Sequence, residues 1–154
     1  MKQDYVDSEL YQDLHKSVSI TCQDITINYQ REILLLKRDN EPAKGEWWPV
    51  GGRLLRGVKG IEAIKKLVKR EIGLEISEIK FLGTARTLFD TSPFNHNSGT
   101  DTVNILYFAE AKEKIRLDRL HEDFLLITPE EYIKKREEFN EYTKYLVDLS
   151  LKFF

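Results

Sequence analysis

A pair of glycines and a glutamate, separated by one helix, form the most informative arrangement in this sequence. Gly51 and Gly52 precede a segment of helical periodicity over 61–72, and Glu71 lies near its end. At about 100° per residue, Glu71 falls between Leu67 and Ile64 on the apolar side of that helix. A buried carboxylate is costly to desolvate unless a cation meets it, and a glycine turn can bring bare backbone close to a phosphate or a metal. The spacing therefore predicts a metal–phosphate site.

Glu71 is the strongest metal-ligand candidate. Mg²⁺ prefers hard oxygen donors, keeps several waters and shares its coordination sphere with substrate phosphates. The alternative is a buried structural ion pair between Glu71 and a lysine or arginine elsewhere. For the two glycines the alternative is a sharp turn with positive φ, which is compatible with a role at the metal.

The residues from Gly52 to Leu74 resemble a degenerate Nudix box, whose pattern is G-x5-E-x7-R-E-U-x-E-E-x-G-U with U aliphatic. The matching positions are Gly52, Val68, Glu71, Gly73 and Leu74. Where the family usually has Glu, Arg, Glu and Glu, this chain has Val58, Lys66, Leu67 and Arg70. The chain is most similar to the GDP-mannose mannosyl hydrolase branch, which also lacks box carboxylates and retains the last glutamate.

Three further blocks carry the same resemblance in the same order. Residues 35–48 resemble the branch's L-x-K-R-x-N-x-P-A-x-G-x-W segment, Ser98 to Asp101 its S-G-T-D loop, and 121–124 with Thr128-Pro129 the region of its catalytic histidine. The resemblance implies the fold class α/β (α+β), with a mixed β-sheet sandwiched between helices. It also implies a homodimer. The length of 154 residues indicates a single Nudix-like domain over residues 1–154.

The resemblance assigns roles residue by residue. It implies that Glu71 and the carbonyl of Gly51 hold Mg²⁺, and that His121 is the general base that deprotonates the attacking water. Histidine titrates near neutrality, which suits that task, whereas the alternative is an exposed loop histidine. Arg38 would assist departure of the diphosphate, because arginine offers a fixed fork of donors to developing phosphate charge. Its alternative is a strand-end arginine in solvent.

Three substrate contacts are also expected. Arg53 directly follows the glycine turn and is a candidate phosphate contact, and Asp101 belongs to the S-G-T-D loop. Trp47 is a candidate stacking residue. An equally good interpretation is that Trp47 and Trp48 pack beside the core. His15 and His96 lack such context and are expected to be surface residues.

One departure from the branch bears directly on the metal. The branch has a glutamine ligand immediately before its histidine, and here that position is Leu120. Leucine cannot coordinate a metal, so water or a nearby acid such as Asp118 or Glu122 would have to substitute.

Periodicity predicts the elements that position these residues. Strands are expected over 18–28, 33–36, 79–88 and 102–110, and helices over 8–15, 61–72 and 138–154. Residues 39–49 contain Pro42 and Gly45 and are expected to form a loop. Thr128, Pro129 and Glu131 together predict a capped helix start.

Composition restricts the function classes. A net charge of −2 with dispersed cations argues against nucleic-acid binding, which needs a basic face. No segment approaches the roughly 18 apolar residues of a membrane span, and the amino terminus lacks a signal-peptide core. The single cysteine, Cys22, cannot form an internal disulfide, so a cytoplasmic location is expected.

Three functional interpretations remain. The first is a Mg²⁺-dependent hydrolase of a nucleoside diphosphate sugar, of the GDP-mannose type, that releases the nucleoside diphosphate and free sugar by water attack at the anomeric carbon. The second is a pyrophosphohydrolase of another nucleoside diphosphate compound. The third is a nucleotide-sugar-binding module without turnover.

Overall fold

A computed structural model describes residues 6–116 and 123–154. The helices of this part are α1 (Ser8–Ser17), α2 (Gly60–Ile72), α3 (Pro129–Lys135) and α4 (Glu141–Ser150). The strands are β1 (Ile20–Tyr29), β2 (Glu32–Lys37), β3 (Trp47–Trp48), β4 (Val50–Arg53), β5 (Ser77–Phe89), β6 (Thr100–Ala111) and β7 (Phe124–Ile127). Short 3-10 turns at Arg136–Glu138 and Leu151–Phe153 follow α3 and α4.

The described strands form one mixed sheet. Its main path runs β3-β2-β1-β6-β5, with β1 and β6 parallel and the other pairs antiparallel. β4 pairs with β1, and β7 pairs with β2. Pro49 separates β3 from β4, so this segment pairs with β2 through β3 and with β1 through β4. The sequence predicted a loop over 39–49, and β3 corrects that expectation at its end.

Helices cover both faces of the sheet, which confirms the predicted fold class. The apolar stripe of α2 packs on one face, against β1, β2 and β6. α3 and α4 pack on the other face. β2 is buried on both sides because its alternate residues serve the two layers: Leu34 and Leu36 contact the α2 side, whereas Ile33 and Leu35 contact the α3–α4 side.

Local sequence signals set the ends of the helices. The Asp7 carboxylate accepts a hydrogen bond of 2.9 Å from the Glu9 amide and caps α1. Gly73 ends α2 in the left-handed region, with φ of 72°. Thr128 and Glu131 form the predicted capping box of α3. Within the described residues, no helix is long and apolar enough to cross a membrane.

Candidate functional site

A cavity of about 370 Å³ opens beside the glycine pair of β4. Its wall contains Glu71, Gly51 and Gly52, as the sequence predicted, together with Arg38. These four residues come from α2, from β4 and from the end of β2, so the fold brings together positions up to 33 residues apart along the chain. The metal-ligand candidates and Arg38, the residue expected to assist departure of the diphosphate, therefore share one cavity.

Glu71 lies on the last turn of α2 with only 6% of its surface exposed. The Arg70 guanidinium donates a hydrogen bond of 3.3 Å to its Oε1. A Cβ at Gly52 would lie 3.9 Å from the same Oε1 and 3.0 Å from Leu67 Cδ1, so the absent side chain leaves room for Leu67, one turn before Glu71. The glutamate that the helical pattern placed on the apolar side is thus buried beside the glycine turn.

Another buried carboxylate of the cavity wall, Asp24, was not selected from the sequence. Asp24 lies in the middle of β1, is 5% exposed and accepts a short hydrogen bond from the Tyr142 hydroxyl of α4. Burial raises the pKa of Asp24 to about 6, and the Tyr142 hydrogen bond and the charge of Arg38 oppose that rise. A charged residue inside an apolar strand is itself a signal, because it needs a partner there.

Gln23 and Asp24 are neighbours in β1, so their side chains point to opposite faces of the sheet. The Gln23 side chain donates a hydrogen bond of 2.8 Å to the Gly60 carbonyl at the start of α2. Asp24 instead faces the cavity. Of Gln23 and Asp24, only Asp24 can act on a ligand bound in the cavity.

Arg38 closes β2 and is held at the cavity by two contacts. Its Nε donates a hydrogen bond of 2.6 Å to the Pro42 carbonyl, and its guanidinium lies 5.2 Å from the Trp48 ring. Burial lowers the pKa of Arg38, whereas Asp24 raises it. Because the pKa of an arginine is ordinarily far above neutral, Arg38 remains a cation in the same cavity as the Asp24 carboxylate.

The two tryptophans have different environments. Trp47 packs with the cluster under α3 and α4, and its carbonyl accepts a hydrogen bond of 2.9 Å from Thr143. Trp48 lines the cavity and stacks on Tyr142, with ring centroids 5.1 Å apart. The structure thus brings Trp48, rather than the selected Trp47, to the cavity.

Neutral polar side chains from β5 and β6 form another part of the cavity wall. Thr102 Oγ1 donates to Asn104 Oδ1 at 3.0 Å, Asn104 Nδ2 donates to Thr87 Oγ1 at 3.4 Å, and the two threonine hydroxyls lie 2.5 Å apart. The Thr102 proton is used on Asn104, so Thr87 donates to Thr102 and the ring closes. Asn104 keeps a second N–H for a ligand.

Asp101 and Arg53 lie away from this cavity wall. Thr100 and Thr102 line the cavity, so Asp101 between them faces the other side of the sheet. There its carboxylate accepts hydrogen bonds of 3.0 and 2.6 Å from Arg86, which hold its pKa below the usual range. Arg53 lines an adjoining groove, with its guanidinium 4.2 Å from the Tyr11 ring.

His15 corrects the expectation that it is a surface residue. It is 7% exposed and lines the cavity, and its Nδ1 lies 3.1 Å from His96 Nε2. Burial lowers the pKa of His15, and the neighbouring His96 lowers it further. The predicted base His121 and its neighbour Leu120 lie outside the described residues.

The donor set fits a single hard cation. Among the described residues, no group of three or more His, Cys, Asp or Glu side chains could hold a metal ion. Mg²⁺ nevertheless binds through one or two carboxylates when waters and substrate phosphates complete its sphere. Glu71 matches that requirement, and Gly51 and Asp24 line the same cavity, where Asp24 offers a further oxygen donor.

Comparison with known proteins identifies relatives in sequence and in fold. A curated relative, the low-salt glycan biosynthesis protein Agl8 from Haloferax volcanii, is 28% identical over 119 residues, which cover 73% of each chain. The crystal structure of a MutT NUDIX hydrolase from Burkholderia pseudomallei superposes with a TM-score of 0.70 at 17% identity, over 86% of this chain and 98% of that one.

A bifunctional NMN adenylyltransferase/ADP ribose pyrophosphatase from Francisella tularensis, complexed with AMP and a Mn ion, has a TM-score of 0.67 at 14% identity. The match covers 94% of this chain and 44% of that one. The model of the NUDIX domain matches residues 18–149, which contain every described residue of the cavity except those on α1. The chain therefore belongs to the Nudix family.

Proposed function

We propose that this protein is a Mg²⁺-dependent Nudix hydrolase of a nucleoside diphosphate sugar, of the GDP-mannose type, that releases the nucleoside diphosphate and free sugar. The observation that carries the proposal is the composition of the cavity wall. The wall contains Arg38 and four carboxylates, those of Asp24, Asp39, Glu41 and Glu71, and it also contains the neutral ring of Thr87, Thr102 and Asn104. The charged part suits a metal-bound diphosphate, and the neutral part suits sugar hydroxyls.

In the proposed reaction, water attacks the anomeric carbon of the sugar. The new bond joins the water oxygen to that carbon, and the bond from the carbon to the diphosphate oxygen breaks with its electron pair on the diphosphate. His121 accepts the proton of the water. Arg38 faces the charge that develops on the leaving group, which is the point where a fixed cation stabilises the transition state most.

Glu71 and the Gly51 carbonyl would hold Mg²⁺, which neutralises diphosphate charge when bound. Asp24 lies where a Gly51 side chain would be and adds negative charge to the same cavity. Arg53 remains our candidate for a phosphate contact. Neither Asp101, which is paired with Arg86, nor Trp47, which packs under α3 and α4, has a role in the proposed reaction.

A homodimer and a cytoplasmic location also remain proposals. Two large apolar side chains of β5, Phe81 and Leu88, are 65% and 70% exposed, which supports an apolar contact surface on that strand. Light scattering of the purified chain measures the oligomeric state. A monomer at micromolar concentration would contradict the dimer and leave the proposed activity unaffected.

The activity is tested with a panel of nucleoside diphosphate sugars and Mg²⁺, scored by product. Nucleoside diphosphate plus free sugar is the expected result. Nucleoside monophosphate plus sugar phosphate would establish the pyrophosphohydrolase interpretation, and binding without product would establish the binding module. Glu71→Gln keeps the shape of the side chain but removes its charge, so it should abolish most of the turnover. Wild-type turnover in excess chelator would contradict the metal requirement.

A further inference from the structure

A pair of histidines joins α1 to the segment between β5 and β6 at the wall of the cavity. His15 lies on the last turn of α1, lines the cavity and is 7% exposed. His96 lies in the segment 90–99, and its Nε2 is 3.1 Å from His15 Nδ1. The reaction proposed above gives neither imidazole a role, although one of them reaches the space that the substrate would occupy.

Aromatic rings hold the His15 imidazole in one orientation. Phe94 packs against it edge to face, with ring centroids 5.1 Å apart and an interplanar angle of 77°. Tyr11, one turn earlier on α1, packs in the same manner at 6.2 Å and 79°, and the His96 ring lies 5.1 Å away. A ring fixed in this way loses little further freedom when a ligand binds, which is the property of a preorganised contact.

The hydrogen bonds of the pair determine which nitrogen carries each proton. The Ser98 amide donates a hydrogen bond of 3.2 Å to His96 Nδ1, so that nitrogen is an acceptor and the proton of His96 is on Nε2. This N–H is shared between His15 Nδ1 at 3.1 Å and Ser92 Oγ at 3.2 Å. Burial lowers the pKa of His15, so its ring is neutral near pH 7 and carries its single proton on Nε2.

His15 therefore has one N–H left to donate. Among residues 6–116 and 123–154, no group accepts a hydrogen bond from its Nε2, and the side chain lines the cavity. α1 packs against β6, the strand that carries Thr102 and Asn104 of the neutral ring. A neutral donor beside other neutral polar groups suits a hydroxyl oxygen, whereas a diphosphate is better served by the charge of Arg38.

We propose that His15 is a specificity-determining residue whose Nε2–H donates a hydrogen bond to one hydroxyl of the substrate's sugar, and that His96 is a positioning residue that fixes the tautomer of His15. The inference rests on the proposed function, which supplies the sugar. A sugar without that hydroxyl leaves a buried N–H without a partner, and a site built around a hydrogen bond discriminates strongly against such a ligand.

The test compares the best nucleoside diphosphate sugar of the substrate panel with its deoxy analogues, by kcat/KM in Mg²⁺. In the wild type, one analogue should be poorer than the parent sugar by about tenfold through the loss of this contact. In His15→Phe, which keeps an aromatic ring but removes the N–H, that penalty should fall below about threefold. The penalties for the other missing hydroxyls should remain.

Two substitutions of His96 separate positioning from packing. His96→Phe keeps a ring but removes the donor, so it should reduce the same penalty. His96→Gln offers an amide N–H in place of the imidazole N–H and should restore it. The matched control is Leu14→Ala, also on α1 but outside the cavity wall, which should keep every penalty.

A second measurement needs no substrate. The ¹⁵N NMR signals of the imidazoles at pH 8 should show His15 protonated at Nε2 in the wild type and in His96→Gln, and a mixture of tautomers in His96→Phe. A proton on Nδ1 of His15 in the wild type would overturn the proposal, and so would removal of the penalty by Leu14→Ala.

The two experiments also distinguish this inference from the proposed function. A chain that hydrolyses no nucleoside diphosphate sugar would refute the proposed function and the inference with it. A sugar hydrolase in which every deoxy analogue keeps its penalty in His15→Phe would refute the inference alone.

Discussion

The carboxylate of Asp24 occupies the space that a side chain at Gly51 would fill. A Cβ built on Gly51 would lie only 1.6 Å from Asp24 Oδ1, and the two residues are register partners in β1 and β4. Because neighbouring strand residues face opposite sides, Gly51 accommodates Asp24 and Gly52 accommodates the end of α2 that carries Glu71. Gly51 thus makes room for a buried carboxylate, whereas Gly52 makes room for Leu67 on the helix that carries Glu71.

Gly51→Ala should therefore be much more damaging than Gly52→Ala. The first variant must displace a buried carboxylate or separate β4 from β1, at a cost in the range of about 1–3 kcal/mol that overpacking entails. The second meets Leu67 Cδ1 at 3.0 Å, which a small side-chain shift relieves. Denaturant unfolding and turnover of both variants measure the difference. Equal effects of the two substitutions would mean that Asp24 does not depend on Gly51.

Asp24→Asn should change how stability depends on pH. Burial raises the pKa of Asp24 from its ordinary value of 3.8 to about 6, so between these values the folded protein binds this proton more tightly than the unfolded chain. The resulting stabilisation is fully present below pH 3.8 and is lost as the pH rises through 6. At 1.36 kcal/mol per pKa unit, the loss is about 3 kcal/mol.

The free energy of unfolding of Asp24→Asn minus that of the wild type should therefore increase between about pH 4 and pH 7. Asp13→Asn, at an exposed position paired with Lys16, is the matched control and should show little such change. A difference between Asp24→Asn and wild type that stays constant over this range would contradict the raised pKa.

Arg38→Lys should lower kcat although it preserves the charge. Lysine cannot keep both the hydrogen bond to Pro42 and the planar contact with Trp48 that fix the guanidinium. We expect a loss of about tenfold to a hundredfold, less than the 10²–10³-fold typical for complete removal of a transition-state donor. Steady-state kinetics measure it, and Arg31→Lys in the exposed turn after β1 is the control. If Arg38→Lys has full activity, Arg38 is structural.

His121→Gln should lower kcat by about 10²–10⁴-fold and change KM much less, because a general base acts in the transition state rather than in ground-state binding. The pH–rate profile of the variant should also lose an ionisation on its acid limb. His96→Gln, which removes the partner of His15, provides a control for loss of an imidazole. Unaltered kcat in His121→Gln would remove the assignment of this residue as the base.

The local sequence pattern predicted most of the elements that carry the site. The strands that it missed are those defined by long-range pairing. The apolar stripe of 61–72 and the capping residues of α3 are properties of neighbouring positions, and both were confirmed. β7 was not predicted, because its four residues are defined by their pairing with β2. The break at Pro49 similarly hid β3 and β4, each defined by its partner strand.

The same distinction applies to side chains. Glu71 could be selected from the sequence because it is a charged residue on the apolar side of its own helix. Asp24 acquires its significance from Tyr142, which is 118 positions away, and His15 from His96, which is 81 positions away. The charge of Asp24 within an apolar strand signals only that a partner is needed, and no local pattern contains either pairing.

The central claim is that water attacks carbon rather than phosphorus, and the position of the solvent oxygen tests it most directly. Hydrolysis of a nucleoside diphosphate sugar in water enriched in ¹⁸O, with Mg²⁺, places the label in one product, which mass spectrometry identifies. The account predicts one ¹⁸O atom in the free sugar and an unlabelled nucleoside diphosphate. Label in a phosphate group, with no label in the sugar, would contradict it.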